Sequence, residues 1–400
     1  MFMRKKSISH SVLRSRTRLC RGMVLALITA LLFTFGSCPA AADTHASLDV
    51  SAQSAILMEA MSGEVIYQKN ADLHLPMAST TKIMTALVAI DKMPLDTVIE
   101  VSPAAVGIEG SSVYLFAGER LTLEELLYAM LLESANDAAT AIAVAISGSV
   151  EDFAVLMNQK AEDLGLTDTH FTNPHGLDHE EHYTTARELG LIAAEVLRCP
   201  ELQTITSTRQ KNISHNGSGG IRLLINHNKL LRSYEGCIGL KTGFTKRSGR
   251  CLVSAAERDG VTLIAVTLNA PNDWNDHEAM LDHGFAAYES VLLCEVGDYR
   301  RPLWIESGTQ SYVMVENREA LAVTVPVRRG DIRVTVELPR FEYAPVLEGT
   351  QMGRLVYRVT NEDGHDTVIG TVPLYAAYDV KAADYSLSIW DRIKAFFHIS

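Results

Sequence analysis

Within "MASTTKIMTA", residues 77–86, Ser79 is followed three positions later by Lys82, and no other serine in the chain has lysine at that spacing. In a helix the two side chains lie about 60° apart around the axis, on one side. Ile83 and Ala86 share that side, so it should be buried. A buried ammonium without partners is costly, and it is relieved when its pKa falls. A lysine held partly neutral beside a hydroxyl can take the proton of that hydroxyl and make the serine a nucleophile. The competing reading is a surface lysine beside an unremarkable serine, and a lone Ser-x-x-Lys does not decide between the two.

Two further stretches carry related chemistry. "ESAND" supplies Ser134 and Asn136 between two expected helices, where short polar side chains reach into a cleft. Taken alone, it is an ordinary helix N-cap. "GLKTGFT" puts Lys241, Thr242 and Gly243 on an expected strand. An ammonium, a hydroxyl and a glycine that admits close backbone approach suit an extended peptide ending in a carboxylate. Taken alone, it is an ordinary strand end. "HGLDHEEHY" holds His175, His179 and His182 among acids. One residue is missing for the His-Glu-x-x-His zinc motif, so an acidic loop over the cleft is expected rather than a metal site.

These residues need elements to position them. "SAILMEAMSGEVIYQKN" reads as a hairpin turning at Met61–Gly63. "LTLEELLYAMLLES" opens with Thr122 and places Glu125 three residues later, a capping box ahead of an apolar run. "NDAATAIAVAISG" and "VEDFAVLMNQKAEDLGL" continue as helices. Three β-rich runs separated by "KRSG" and "ERDG" read as an antiparallel meander, and "HEAMLDHGFAAYESVL" as a closing helix. Beyond about Val296, "ALAVTVPV" and "IRVTVEL" alternate around the turn "RRGD", and "GRLVYRV" and "DTVIGTVPLYAA" repeat the theme around "NEDG". That is a small all-β domain. A turn between strands accounts for the "RGD" without any adhesive role.

The N-terminus carries an export signal and the C-terminus a candidate membrane-associating helix. Residues 1–42 contain no acid and seven Lys or Arg, followed by the apolar run Met23–Phe35 and small residues at Ala40 and Ala42. This is the pattern of a secretory signal cleaved after Ala42, and the run is short of the ~20 residues a bilayer span needs. "FGSC" is a poor match to a lipoprotein signal at Cys38. Removing that segment takes the net charge from −12 to −19, which argues against nucleic acid as a partner. Four cysteines remain (Cys199, Cys237, Cys251 and Cys294), too sparse for a disulfide scaffold; whether Cys237 and Cys251 pair is open. At the other end, Ile389, Trp390, Ile393, Phe396 and Phe397 share one helical face and Asp391, Arg392 and Lys394 the other. Such a helix suits a membrane interface; packing back on the β domain is the alternative.

Taken in order, Ser-x-x-Lys, Ser-x-Asn and Lys-Thr-Gly are the motif set of the penicillin-recognising serine enzymes. With "LPMASTTKIMTAL", "ESANDAA", "TDTHFTNPHGLD", "YTTARELG", "NHNKLL" and "LDHGFAAY", the chain from about residue 50 to 290 resembles the D-alanyl-D-alanine carboxypeptidases among the low-molecular-mass penicillin-binding proteins. The resemblance implies an α+β fold: a β-lactamase/transpeptidase-like domain at 43–295, with an antiparallel sheet flanked by helices plus an all-helical subregion. A small β-sandwich at 296–385 and an amphipathic membrane-associating helix at 386–400 follow.

It also implies roles. Ser79 attacks the penultimate D-Ala carbonyl of a peptidoglycan stem peptide ending in D-Ala-D-Ala, Lys82 takes its proton, and Ser134 with Lys241 passes a proton to the departing amine. Asn136 holds a substrate amide, Thr242 with Lys241 the terminal carboxylate, and the backbone N–H groups of Ser79 and Phe244 beside Gly243 form the oxyanion hole. No metal or organic cofactor is implied, and β-lactams are expected as covalent inhibitors of an exported enzyme on the outer face of the cytoplasmic membrane or in the wall.

The chain departs from its relatives at Phe244, where many have His, at Glu188 and at His227. It also lacks the Arg often found before the closing helix. A class A-like β-lactamase is the enzymatic alternative; against it, the second motif reads Ser-Ala-Asn and no Glu-x-x-Leu-Asn segment is present. A non-catalytic peptidoglycan-binding scaffold is the third reading.

Overall fold

The computed structural model describes residues 48–215, 220–360 and 365–383. The expected signal segment, Cys38 and the expected helix at 386–400 lie outside the described residues.

The expected hairpin is present: β1 (Ser54–Glu59) and β2 (Val65–Lys69) pair antiparallel with a bulge at Leu57/Met58. The expected meander is β3 (Cys237–Thr245), β4 (Gly249–Arg258) and β5 (Val261–Leu268). β1 adds to the free edge of β5, giving one antiparallel sheet in the order β2-β1-β5-β4-β3. All of β1, all of β5 but Thr262, and Cys251–Ala256 in the middle of β4 are buried. Both faces must therefore be covered, and the glycines of two helices show how. A side chain at Gly190 of α5 (Ala186–Arg198) would meet Ile56 and Met58. One at Gly284 of α7 (Asp273–Ala287) would meet Leu57 and Leu263. Since successive strand residues point to opposite faces, the two helices cover opposite sides of the sheet.

The helical subregion is α1 (Lys82–Lys92), α2 (Leu123–Leu132), α3 (Asn136–Ser147) and α4 (Val150–Asp163), followed after α5 by α6 (Pro200–Ser207). α1 is buried from Lys82 through Ala89, so it is a central helix rather than an amphipathic one. The capping box of α2 is complete: Thr122 Oγ1 accepts from the Glu125 N–H at 3.2 Å, and Glu125 Oε2 accepts from the Thr122 N–H at 2.9 Å. Glu125 also accepts from Ser214 N, which ties the start of α2 to the hairpin Gln210–His215/Gly220–Ile225.

The closing helix is shorter than expected. It stops at Ala287, and Tyr288–Cys294 is a strand paired antiparallel with Leu321–Pro326. The run "YESVLLC" alternates well enough to be read either way, and its partner lies some thirty residues on, beyond any local pattern. For the same reason "ALAVTVPV" and "IRVTVEL" do not pair across "RRGD". Ile332–Glu337 pairs with Gln351–Thr360 in a six-stranded sheet, together with Asp366–Ala376, Tyr312–Asn317, Arg300–Glu306 and Phe341–Tyr343 in that order. Cys294, Leu355, Tyr357, Val372 and Leu374 fill the space between the two sheets, with Leu321 packed against them. The result is a small sandwich. All four described cysteines are free, and the register places Cys237 opposite Ala256 and Cys251 opposite Gly243, well apart.

Thr122→Ala removes one half of the capping box and leaves an N–H at the helix start unpaired. It should lower the unfolding free energy by about 1 kcal/mol, read as a shift in the urea midpoint with an unchanged m-value.

Candidate active site

The turn that carries Ser79 is a single 3-10 turn, Ala78–Thr81, and the α-helix begins only at Lys82. Ala78, with φ +48°, has the left-handed backbone that side chains disfavour. Three contacts hold it there. Thr80 Oγ1 donates to Met77 O at 2.6 Å, and Thr81 Oγ1 donates to Ala78 O at 2.7 Å. On the far side of the Ala78 carbonyl lies Gly176, itself at φ +85°, where a Cβ would collide with that oxygen. Only glycine meets both demands.

Lys82 is fully buried, and its Nζ has three neighbours from three distant segments: Ser79 Oγ at 2.9 Å, Asn136 Oδ1 at 2.7 Å and the His175 carbonyl at 2.5 Å. Burial first, and the charge of Lys241 second, hold the Lys82 ammonium well below its ordinary pKa, with Asp137 opposing. As a neutral amine, Lys82 has two hydrogens and one lone pair. The Asn136 and His175 oxygens can only accept, so they take the two hydrogens, and the lone pair is left for the Ser79 hydroxyl. That is the arrangement of a general base with its nucleophile.

Ser134 lies in the link between α2 and α3, at φ +61°, and Lys241 Nζ donates to its Oγ at 3.0 Å and to Thr242 O at 2.8 Å. Lys241 is buried, which lowers its pKa to about 7. Asn136 opens α3; its Nδ2 donates to Glu109 O at 2.6 Å while Oδ1 receives Lys82. One N–H and one lone pair of the amide stay available. Strand β3 runs against the serine turn: a Cβ at Gly243 would sit 3.1 Å from Met77 O, Ser79 N and Thr80 N. Thr242, Gly243 and Phe244 thereby line a cleft of about 350 Å³ that also contains Ser79 and Ser134. The structure thus gathers all eight residues singled out from the three motifs around one cleft.

The loop read as an acidic cover braces the site: none of residues 172–182 lines the cleft. Asp178 accepts from Thr245 Oγ1 at 2.9 Å, which ties the loop to the end of β3. His182 braces the serine turn. Its Nδ1 accepts from Thr172 N at 3.0 Å, so Nε2 carries the hydrogen and donates to Thr81 Oγ1 at 2.8 Å, which in turn donates to Ala78 O. Burial pushes the pKa of His175 and of His182 down to about 3, so both are neutral at pH 7. Among the described residues no group of three His, Cys, Asp or Glu side chains is arranged to hold a metal ion. Glu188 anchors the loop from the start of α5 by accepting from Thr167 N, Asp168 N and Thr169 Oγ1.

Sequence reasoning missed the cleft mouth. Arg250 lies directly opposite Phe244 in the β3–β4 ladder, and its Nε donates to Asp273 Oδ1 at 2.9 Å. Trp274 lies 5.8 Å from both the Arg250 guanidinium and the Lys229 ammonium. His227, from "NHN", pairs with Glu133 at 3.1 Å on the cleft wall. Only the strand register reveals Arg250; nothing in its local sequence marks it.

The chain is similar to known proteins over most of its length. The family model described as D-alanyl-D-alanine carboxypeptidase matches residues 40–272. A D-alanyl-D-alanine carboxypeptidase of Bacillus subtilis is 32% identical, over 86% of this chain and 91% of its own. One of Escherichia coli is 32% identical, over 94% of this chain and 96% of its own. The solved structure of penicillin binding protein 5 from Haemophilus influenzae superposes with a TM-score of 0.66 at 28% identity, covering 83% of this chain and 98% of that one.

His182→Leu leaves the Thr172 N–H and the Thr81 hydroxyl without their partner. The Thr81 hydroxyl keeps its bond to Ala78 O and loses only the donor, so the unpaired Thr172 N–H dominates. The change should cost about 1–3 kcal/mol of stability in chemical denaturation and slow the labelling of Ser79 by a fluorescent β-lactam. The labelling rate of the unaltered protein should rise with pH as Lys82 loses its proton, and fall again as Lys241, with a pKa of about 7, loses its own. Lys241→Arg should carry the alkaline limb upward and leave the acid limb in place.

Proposed function

The chain belongs to the D-alanyl-D-alanine carboxypeptidase family, and from that premise we propose the residue-level mechanism by which it removes the terminal D-alanine from peptidoglycan stem peptides. The neutral Lys82 amine takes the Ser79 proton as Oγ attacks the carbonyl of the penultimate D-Ala. The N–H groups of Ser79 and Phe244 face the developing oxyanion. When the tetrahedral intermediate collapses, the D-Ala–D-Ala C–N bond breaks. The leaving amine receives a proton from Lys241 through Ser134. The proton that Lys82 took from Ser79 replaces the one Lys241 gave up, so Lys82 is again a neutral amine and the shortened peptide stays as an ester on Ser79. Water, deprotonated by Lys82, then hydrolyses that ester and frees Ser79. Trimming donor pentapeptides in this way limits cell-wall cross-linking. The observation that carries the reading is the Lys82 amine 2.9 Å from Ser79, its other two contacts being oxygens that can only accept.

The substrate's terminal carboxylate needs a cation that stays charged. Lys241, with a pKa of about 7, is a poor permanent one. Arg250 lines the same cleft as Thr242, and Asp273 holds only its Nε. Among the described residues its two terminal nitrogens make no further hydrogen bond, so the fork is open to a carboxylate. Arg250 thus fills the place left by the Arg missing before the closing helix. β-Lactams enter the same site and acylate Ser79. Residues 1–42 direct export and 386–400 attach the chain to the membrane, with the peptidase domain and the β-sandwich between them.

The test is release of D-Ala from a diacyl-Lys-D-Ala-D-Ala peptide. Ser79→Ala and Lys82→Arg should each reduce it by a factor on the order of 10³ or more, with the fold intact by circular dichroism. Unchanged release from either variant contradicts the mechanism. Rapid turnover of penicillin, in place of a persisting acyl-enzyme, would favour the β-lactamase reading. Arg250→Ala should lower kcat/KM for the peptide roughly 10–100-fold, chiefly through KM, and Arg250→Lys should recover part of it.

A further inference from the structure

The six-stranded sheet carries an exposed aromatic row at one edge. Trp304 lies opposite Tyr312 on one side and opposite Phe341 on the other, and Glu306 lies opposite Tyr343. These four aromatic side chains therefore share one face. They are 60% (Trp304), 43% (Tyr312), 45% (Phe341) and 61% (Tyr343) exposed, while the alternating residues Leu303, Ile305, Val313 and Val315 are buried with Val346 and Val380 on the other face. Trp304 meets Tyr312 edge-on at 6.5 Å and Phe341 meets Tyr343 at 5.4 Å. Strands lie about 4.8 Å apart, so the rings form one contiguous patch across three strands. Scattered exposed aromatics need no explanation, but a contiguous row marks an interaction surface.

The course of the chain indicates what covers it. Its last described residues pair with the turn that ends the Trp304 strand: Gly308 bridges to Ala382, Thr309 N donates to Lys381 O, and Ala383 N donates to Ser307 O at 2.8 Å. Ala383 is thus bound three residues from Trp304, about 10 Å along a strand. From there begins the segment that holds Ile389, Trp390, Ile393, Phe396 and Phe397. Binding at a membrane interface scales with the apolar area buried, so an apolar surface beside that segment adds to its attachment. At −19 after loss of residues 1–42, the chain gains little from charge attraction to an anionic surface. Trp and Tyr, with apolar rings and polar tips, favour the headgroup level of a bilayer. Arg340, next to Phe341 in the chain, makes no ion pair among the described residues, and Glu306 and Glu342 lie next to row residues in the strand ladder.

We propose that the row formed by Trp304, Tyr312, Phe341 and Tyr343 is a second membrane contact, which seats the β-sandwich on the lipid headgroups beside the C-terminal segment. It rests on the membrane attachment proposed above. The experiment uses the chain from Asp43 to Ser400 and vesicles of phosphatidylethanolamine and phosphatidylglycerol. Trp304→Thr/Phe341→Thr/Tyr343→Thr should lower vesicle partitioning at least tenfold, with D-Ala release from a soluble peptide and the thermal melt unchanged. With Trp274→Phe and Trp390→Phe, leaving Trp304 the only tryptophan, brominated lipids should quench its fluorescence. Partitioning without that quenching overturns the proposal, and leaves attachment through residues 384–400 standing. Binding to isolated wall glycan that is lost with the triple substitution overturns it too, as does self-association that depends on the row without lipid.

Discussion

A lysine nitrogen buried among oxygen atoms is the constraint on which the catalytic half of this protein depends. Lys82 is fully buried, and its ammonium would carry a large desolvation cost. The neutral form relieves that cost, but only if the polar partners around it are few and fixed: two oxygens that accept its hydrogens and one hydroxyl for its lone pair. They come from residues 79, 136 and 175, so the serine turn, the start of α3 and the loop ahead of α5 must converge on one point. The second buried lysine, Lys241, adds its own charge to the same space and lowers Lys82 further. One buried amine thereby links the burial of α1, the α2–α3 connection and the edge strand β3.

Convergence of that kind places strain in the backbone and demands bracing. Ala78 and Ser134 both have positive φ, and each is next to or at a residue that faces the cleft. The loop 172–182 is the main brace: its Gly176 fits under the Ala78 carbonyl, its His175 carbonyl holds Lys82, and its His182 reaches the same turn through Thr81. In the sequence the two histidines belong to a loop that fails a zinc motif by one residue. Buried and neutral, they serve as fixed dipoles whose hydrogen bonds orient backbone and hydroxyl groups. Gly243 plays the complementary part from the other side, letting β3 press against the turn.

The sequence was most legible where chemistry and local pattern coincide. Ser79 and Lys82 sit at helical spacing, Thr122 and Glu125 at capping-box spacing, and the meander strands between clear turns, and the structure has each where expected. Legibility fails wherever the outcome depends on a partner far along the chain. Tyr288–Cys294 looks like the tail of a helix because its strand partner begins at Leu321. Arg250 carries no local mark, because its place in the cleft follows from the ladder that sets it against Phe244. His182 looks like half of a failed metal motif until Thr81, a hundred residues earlier, is seen to receive its hydrogen. The cleft mouth, with Trp274 between two cations, is a tertiary feature in the same sense.

All of this requires that Lys82 be an amine at neutral pH, and its protonation state can be observed directly. In protein labelled with ¹³C at lysine Cε, the Lys82 resonance, assigned by its absence in Lys82→Met, should titrate far below the ordinary lysine value of about 10.4. A resonance that titrates at that ordinary value would mean an ammonium at neutral pH, with no lone pair for Ser79, and would contradict the account at its base.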